Sequence, residues 1–193
     1  MATQKTITDF KTALSFGSAR PNLFEVGITL PTATATATGG QLPEKFVVLC
    51  KAANLPASNI ASIDVPFRGR IFKVAGDRTF DTWQITVIND TDFAIRTVME
   101  DWMQHIGQYK DASGTTAPGT YMANATVTQL SRAASAKGST SNSGVIDAKK
   151  YIFEDIFPTN ISAIDLSFDT SDTIEEFTVE FQVNYWYPAE KTN

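Results

Sequence analysis

Alternation of apolar and polar positions is the strongest pattern along this chain. In "FTVEFQVNYWY", Phe177, Val179, Phe181, Val183 and Tyr185 alternate with Thr178, Glu180, Gln182, Asn184 and Trp186. Successive side chains on a strand point to opposite faces, so this period predicts one face in a core and the other in a wet environment. "ISAIDLSFD" repeats the pattern, with Ile164, Leu166 and Phe168 opposite Asp165, Ser167 and Asp169, and the short link through "TSDT" predicts that the two strands pair. Further strands are expected through Phe24, Val26, Ile28 and Leu30; Phe46, Val48 and Cys50; Trp83, Ile85 and Val87; Tyr121, Ala123, Ala125 and Val127; and Tyr151 with Phe153. At least seven short strands separated by turn signals predict a mainly β fold, two packed antiparallel sheets in a β-sandwich or barrel.

One segment changes period. "TDFAIRTVMEDWMQHIG" puts Ile95, Val98, Met99, Trp102 and Ile106 on one helical face, with Asp90 or Thr91 as the N-cap and Gly107 at the stop. Asp92–Arg96 and Arg96–Glu100 are expected as i,i+4 pairs on its exposed side, and the helix should flank the barrel. Segments 31–44, 111–120 and 131–147 are rich in Thr, Ser, Ala, Gly and Pro and read as long loops. Residues 1–18 read as an N-terminal arm, and a single domain is expected over 1–193.

Composition narrows the function. A lone Cys50 beside Val48 and Leu49 excludes an internal disulfide and reads as a core side chain. No stretch has the length of a signal peptide or of a membrane-spanning helix, so the expectation is synthesis and solubility in a cytoplasm, without membrane insertion. The only histidine, His105, shares the expected solvent side of the helix with Thr97 and Asp101, where it has no nucleophile to serve. No Cys/His metal pattern, EF-hand spacing or phosphate-binding glycine loop occurs, so neither an enzyme nor a cofactor is expected. Trp83, Tyr185, Trp186 and Tyr187 could form a carbohydrate-stacking platform, although strand aromatics are more often core.

Charge is segregated. The formal net charge is -5, yet "FRGRIFKVAGDRTFDTW" carries Arg68, Arg70, Lys73 and Arg78 against Asp77 and Asp81. Between Tyr151 and Glu190 there are nine acidic residues and no Lys or Arg. An acidic chain is a poor binder of phosphate backbones, which are held by clustered cations.

"ARPNLFEVGI", "CKAANLP", "VAGDRTFDTWQITVIND" and "FPTNISAIDLSFD", followed by "FTVEFQVNYW", occur in order from Ala19 to Trp186. Together they resemble the tail tube proteins of contractile-tailed bacteriophages, a family related to the tubes of type VI secretion systems and phage-like bacteriocins. The resemblance implies six-membered rings of this chain, stacked head to tail into a hollow tube inside the virion and assembled in the host cytoplasm. Implied partners are further copies of itself, a sheath protein outside, a tape-measure protein within, and baseplate and terminator proteins at the ends. DNA would pass through the lumen without specific binding. A tube from a contractile injection particle or a type VI secretion system, carrying protein cargo, is the alternative. "PTATATATGG" and "SRAASAKGSTSNSG" depart from the family as longer loops. Within such a tube, Arg68, Arg70, Lys73, Asp77 and Arg78 are expected on an extended arm that meets acidic neighbours. Asp165, Ser167, Asp169, Thr178, Glu180, Gln182 and Asn184 are expected to face the lumen.

Overall fold

The computed structural model describes residues 5–14, 18–31, 42–111, 113–131, 146–169 and 172–189. The strands are β1 (Phe24–Thr29), β2 (Cys50–Ala53), β3 (Ser58–Phe67), β4 (Arg70–Phe80), β5 (Trp83–Ile88), β6 (Ala123–Ser131), β7 (Ile146–Ile161), β8 (Glu176–Gln182) and β9 (Tyr185–Pro188). Among the described residues four helices accompany them: α1 (Ile7–Ala13), α2 (Leu42–Leu49), α3 (Ala94–Ile106) and the single turn α4 (Pro118–Tyr121). The mainly β, antiparallel architecture follows the expectation from alternation.

Strand β7 holds the two layers together. Its first part pairs with β6 on one side and β9 on the other, and its last residues pair with β8. One layer is therefore β1-β6-β7-β9 and the other β7-β8-β5-β2. Where β7 passes from one to the other, an extra residue is accommodated opposite Ala123–Ala125, and Asp155 adopts φ 54. Such a bulge bends a strand, and the Asp155 N–H is caught by Asn124 Oδ1 at 3.2 Å. Beyond them, β3 and β4 form a separate two-stranded sheet.

Register brings the apolar positions together. Trp83, Ile85 and Val87 on β5 oppose Phe181, Val179 and Phe177 on β8. Val26 and Ile28 oppose Val127 and Ala125, which in turn oppose Tyr151 and Phe153. All except the half-buried Tyr151 are buried. The centre is aromatic: Trp83 stacks on Phe153 at 4.8 Å, and Phe181 lies 5.4 Å from Trp83 and 5.9 Å from Trp102 of α3. Both buried indoles are satisfied, Trp83 Nε1–H donating to Asn54 O and Trp102 Nε1–H to Tyr121 O. The helix buries Ile95, Val98, Met99 and Trp102 as its period requires and stops at Gly107. Its start differs from expectation: Phe93 is the cap residue at φ 52, while Asp90 Oδ1 accepts the Ala94 N–H at 3.1 Å. Arg96 pairs with Glu100, but Asp92 pairs with Lys45 of α2.

Several local expectations are corrected. Phe46, Val48 and Cys50 do not form a strand; helix α2 runs to Leu49, burying Phe46 and leaving Val48 exposed, and only Cys50 begins a strand. Three alternating residues are too few to distinguish the two periods. Segment 162–169 is not a strand either, because both flanks of β8 are already occupied by β5 and β7, and Leu166 and Phe168 point outward. Tyr121 belongs to α4, which starts within the expected 111–120 loop, and His105 is half-buried. In the expected 31–44 and 131–147 loops, α2 begins at 42 and β7 at 146, while 32–41 and 132–145 lie outside the described residues, as does 112. The N-terminal arm contains α1, whose Thr6 and Asp9 form a reciprocal capping box. Cys50 is buried as expected, and burial pushes its thiol up to about 11.

Replacing a fully buried aromatic leaves a cavity the sandwich cannot collapse. Trp83→Ala is expected to lower unfolding free energy by about 3–5 kcal/mol in a denaturant titration, whereas Val48→Ala should change it by under about 0.5 kcal/mol.

Candidate assembly interface

The basic segment lies on the β3–β4 hairpin. Ile63, Val65 and Phe67 alternate with Ser62, Asp64 and Pro66 on one strand; Phe72 and Val74 alternate with Ile71, Lys73 and Ala75 on the other. The turn requires two residues at positive φ, which Arg68 (φ 45) and Gly69 (φ 81) supply, the pattern of a tight two-residue hairpin. A register shift between Ile60 and Ser62 bulges β4 around Gly76, whose close approach to Ala61 O and Ile63 leaves little room for a side chain.

Among the described residues the hairpin is anchored near its base. Phe80 packs edge-on against Trp186 of β9 at 6.1 Å, Asn59 Nδ2 donates to Asp81 at 3.0 Å, and the Asp81 N–H donates to Ala57 O at 3.1 Å. From there the ten residues of β3 extend about 33 Å at 3.3 Å each, with exposed side chains from Asn59 onward. Directly opposed residues of an antiparallel pair share a face. Ile63, Val65, Phe67, Phe72 and Val74 therefore form one apolar face, on which Phe67 and Phe72 are 65% and 67% exposed.

The charged residues expected at an interface divide between the two sides. Arg70 ends the apolar face opposite Phe67, and Arg68 sits in the turn with its guanidinium 5.4 Å from the Phe67 ring. Lys73 lies on the opposite side, already paired within the chain to Asp64 at 2.7 Å. Arg78, opposite Ile60, shares that side, and Asp77 lies in the bulge. Among the described residues, Arg68, Arg70 and Arg78 make no ion pair, and Asp81 turns to Asn59 rather than to Arg78.

The residues expected in a lumen are only partly brought together. Thr178, Glu180 and Gln182 share the polar face of β8; Thr178 opposes Thr86 and Glu180 opposes Gln84 on β5, and Asn160 of β7 also opposes Glu180. Their neighbour Glu176 is held by Lys51 of β2. Asn184 lies past the end of β8, 3.9 Å from Met122 Sδ. Asp165, Ser167 and Asp169 are on the loop after β7; Asp165 and Ser167 line an open cleft with Ile174 and Glu175.

The aromatic platform is divided as well. Trp83 is in the core and Trp186 is half-buried against Phe80 and Tyr151, leaving only Tyr185 and Tyr187 exposed on β9. Tyr187 donates its hydroxyl to Glu154 at 3.1 Å, and this bond holds the phenol above its ordinary range. Sequence reading missed the apolar face of the hairpin, although Ile63, Val65 and Phe67 alternate as clearly as the core strands.

Comparison with known proteins places this architecture. The family model described as phage tail tube protein matches residues 19–189. Tail tube protein gp19 of Enterobacteria phage T4 is 34% identical over 87% of this chain and 90% of that protein. The tail tube protein of Serratia phage KSP90 is 25% identical over 92% of this chain and 93% of that protein. Among solved structures, a chain in the anti-feeding prophage baseplate has a TM-score of 0.60 at 9% identity, covering 91% of this chain and 98% of that one. A chain in the extended sheath-tube complex of an extracellular contractile injection system scores 0.53 at 14% identity, covering 89% and 91%. At those identities the two structures speak to the fold alone. The match over residues 19–189, with the sandwich and its projecting hairpin, makes this chain a member of the phage tail tube protein family, a structural virion component rather than an enzyme.

Proposed function

We propose that the chain assembles into six-membered rings, stacked head to tail as the inner tail tube through which DNA is ejected. The observation that carries this reading is the β3–β4 hairpin, which projects an apolar face and two edges that no other described residue covers or pairs. Two-stranded hairpins are marginal alone, and open edges with exposed Ile, Val and Phe invite pairing. In the tube one neighbouring copy covers this face beside Arg68 and Arg70, and another meets the opposite side at Lys73 and Arg78, with Asp77 in the bulge between them. The acidic residues of the last fifth of the neighbour receive the arginines. A head-to-tail contact between two different surfaces repeats without limit, as a filament requires.

The polar β5–β8 face, with Thr178, Glu180 and Gln182, lines the lumen in this reading, joined by Asn184 and by Asp165, Ser167 and Asp169 at its rim. A neutral to acidic wall releases no counterions from duplex DNA and so does not retain it. Sheath surrounds the tube, tape-measure protein occupies it before DNA, and baseplate and terminator proteins close its ends. Relatives named as phage tail tube proteins, at 34% and 25% identity over most of the chain, favour a phage tail over an injection particle.

Electron microscopy of the purified protein tests this reading. The natural chain should form rings or rods, and the double reversal Arg70→Glu, Arg78→Glu should remain monomeric at the same salt with its melting temperature changed by under about 4 °C. Rods formed equally by both proteins would reject the hairpin contact. Assembled rods should also fail to retain duplex DNA at low salt, and Thr178→Lys with Gln182→Lys should create salt-sensitive retention. Strong retention by the natural rods would contradict the wall assignment.

A further inference from the structure

Two other surfaces lack a partner among the described residues. Helix α1 buries none of its residues, yet Ile7 and Phe10, 73% and 64% exposed, align with Leu14 at spacings of three and four. The charge on this helix is unevenly committed. Asp9 is taken up by the Thr6 N–H and hydroxyl, whereas Lys5 and Lys11 make no ion pair among the described residues. The second surface lies on the far side of the sequence. In the link between β7 and β8, Leu166, Phe168 and Ile174 are 85%, 107% and 70% exposed. They stand among Asp165, Asp169 and Asp172, which also make no ion pair among the described residues.

We infer that the α1 stripe of one copy docks on the Leu166/Phe168/Ile174 patch of a second copy, with Lys5 and Lys11 against its carboxylates. The two surfaces match in kind: an apolar centre carrying free cations meets an apolar centre ringed by free anions. One source explains both, because each chain carries one of each and no described residue covers either. A contact between unlike surfaces of identical chains leaves a free stripe at one end and a free patch at the other, so it propagates. This contact rests on the reading of the chain as a self-assembling tube and uses no residue of the hairpin. It gives the assembly a second link between neighbours, in which Asp165, Asp169 and Asp172 answer Lys5 and Lys11 and leave the other carboxylates of the last fifth to the hairpin arginines.

A disulfide scan tests it. Phe10→Cys with Phe168→Cys puts one thiol on each surface, and the buried Cys50 is a poor competitor for oxidation. Rods of the double variant, mildly oxidised, should give a denaturing-gel ladder extending beyond the dimer, absent from either single variant. Rods without a ladder, or a disulfide closed within one chain, would overturn the contact while leaving the tube reading intact. Failure of the natural chain to form rods would overturn both. If only the double variant fails to assemble, charge exchange decides. Lys11→Glu should reduce assembly at least tenfold, and adding Asp169→Lys should restore it; no restoration would overturn the pairing.

Discussion

The constraint on which the rest depends is that a two-stranded hairpin cannot shelter its own apolar face. Ile63, Val65, Phe67, Phe72 and Val74 lie on one side of β3–β4, and the sandwich that might have covered them is filled by its own side chains. Fully burying a side chain of this kind stabilises by about 1.5–3 kcal/mol, so leaving five of them in water forgoes several kcal/mol. A monomer would gain by folding the hairpin down or replacing these residues with polar ones. Their persistence on a projecting arm makes sense in a protein whose final environment is other copies of itself.

The sandwich makes that projection possible by being self-sufficient. Trp83, Phe153 and Phe181 supply an aromatic centre, α3 closes over it through Trp102, and the bulge at Asp155 lets one strand serve both layers. Among the described residues, Phe80 on Trp186 joins the sandwich to the base of the arm, which the Asn59–Asp81 and Asp81–Ala57 bonds close. A stiff base with a free tip sets the direction of the arm while letting its face adapt to a neighbour.

Legibility in the sequence follows the number of constraints on each segment. The alternation through Phe177, Val179 and Phe181 reads correctly because those residues have packed strands on both sides, so burial enforces the period. The alternation through Ile164, Leu166 and Phe168 looks the same and misleads, since period reports which side chains are alike and says nothing about whether a partner strand is available. Val48 misleads for a related reason: α2 buries Phe46 but leaves Val48 in water, a pattern that three alternating residues cannot reveal. On the hairpin, charge draws attention to Arg68, Arg70 and Arg78, while the apolar face beside them resembles any core strand. The intrachain Lys73–Asp64 pair is legible only once register is known.

The tube depends on a hairpin that is unsheltered alone and sheltered in the assembly. Amide hydrogen exchange of residues 58–80, compared between monomer and rods, tests this most directly. Fast exchange over 62–75 in the monomer, slowing at least a hundredfold in rods while the β5 and β8 amides are slow in both, is the predicted result. Equal exchange of the hairpin in the two states would contradict the account.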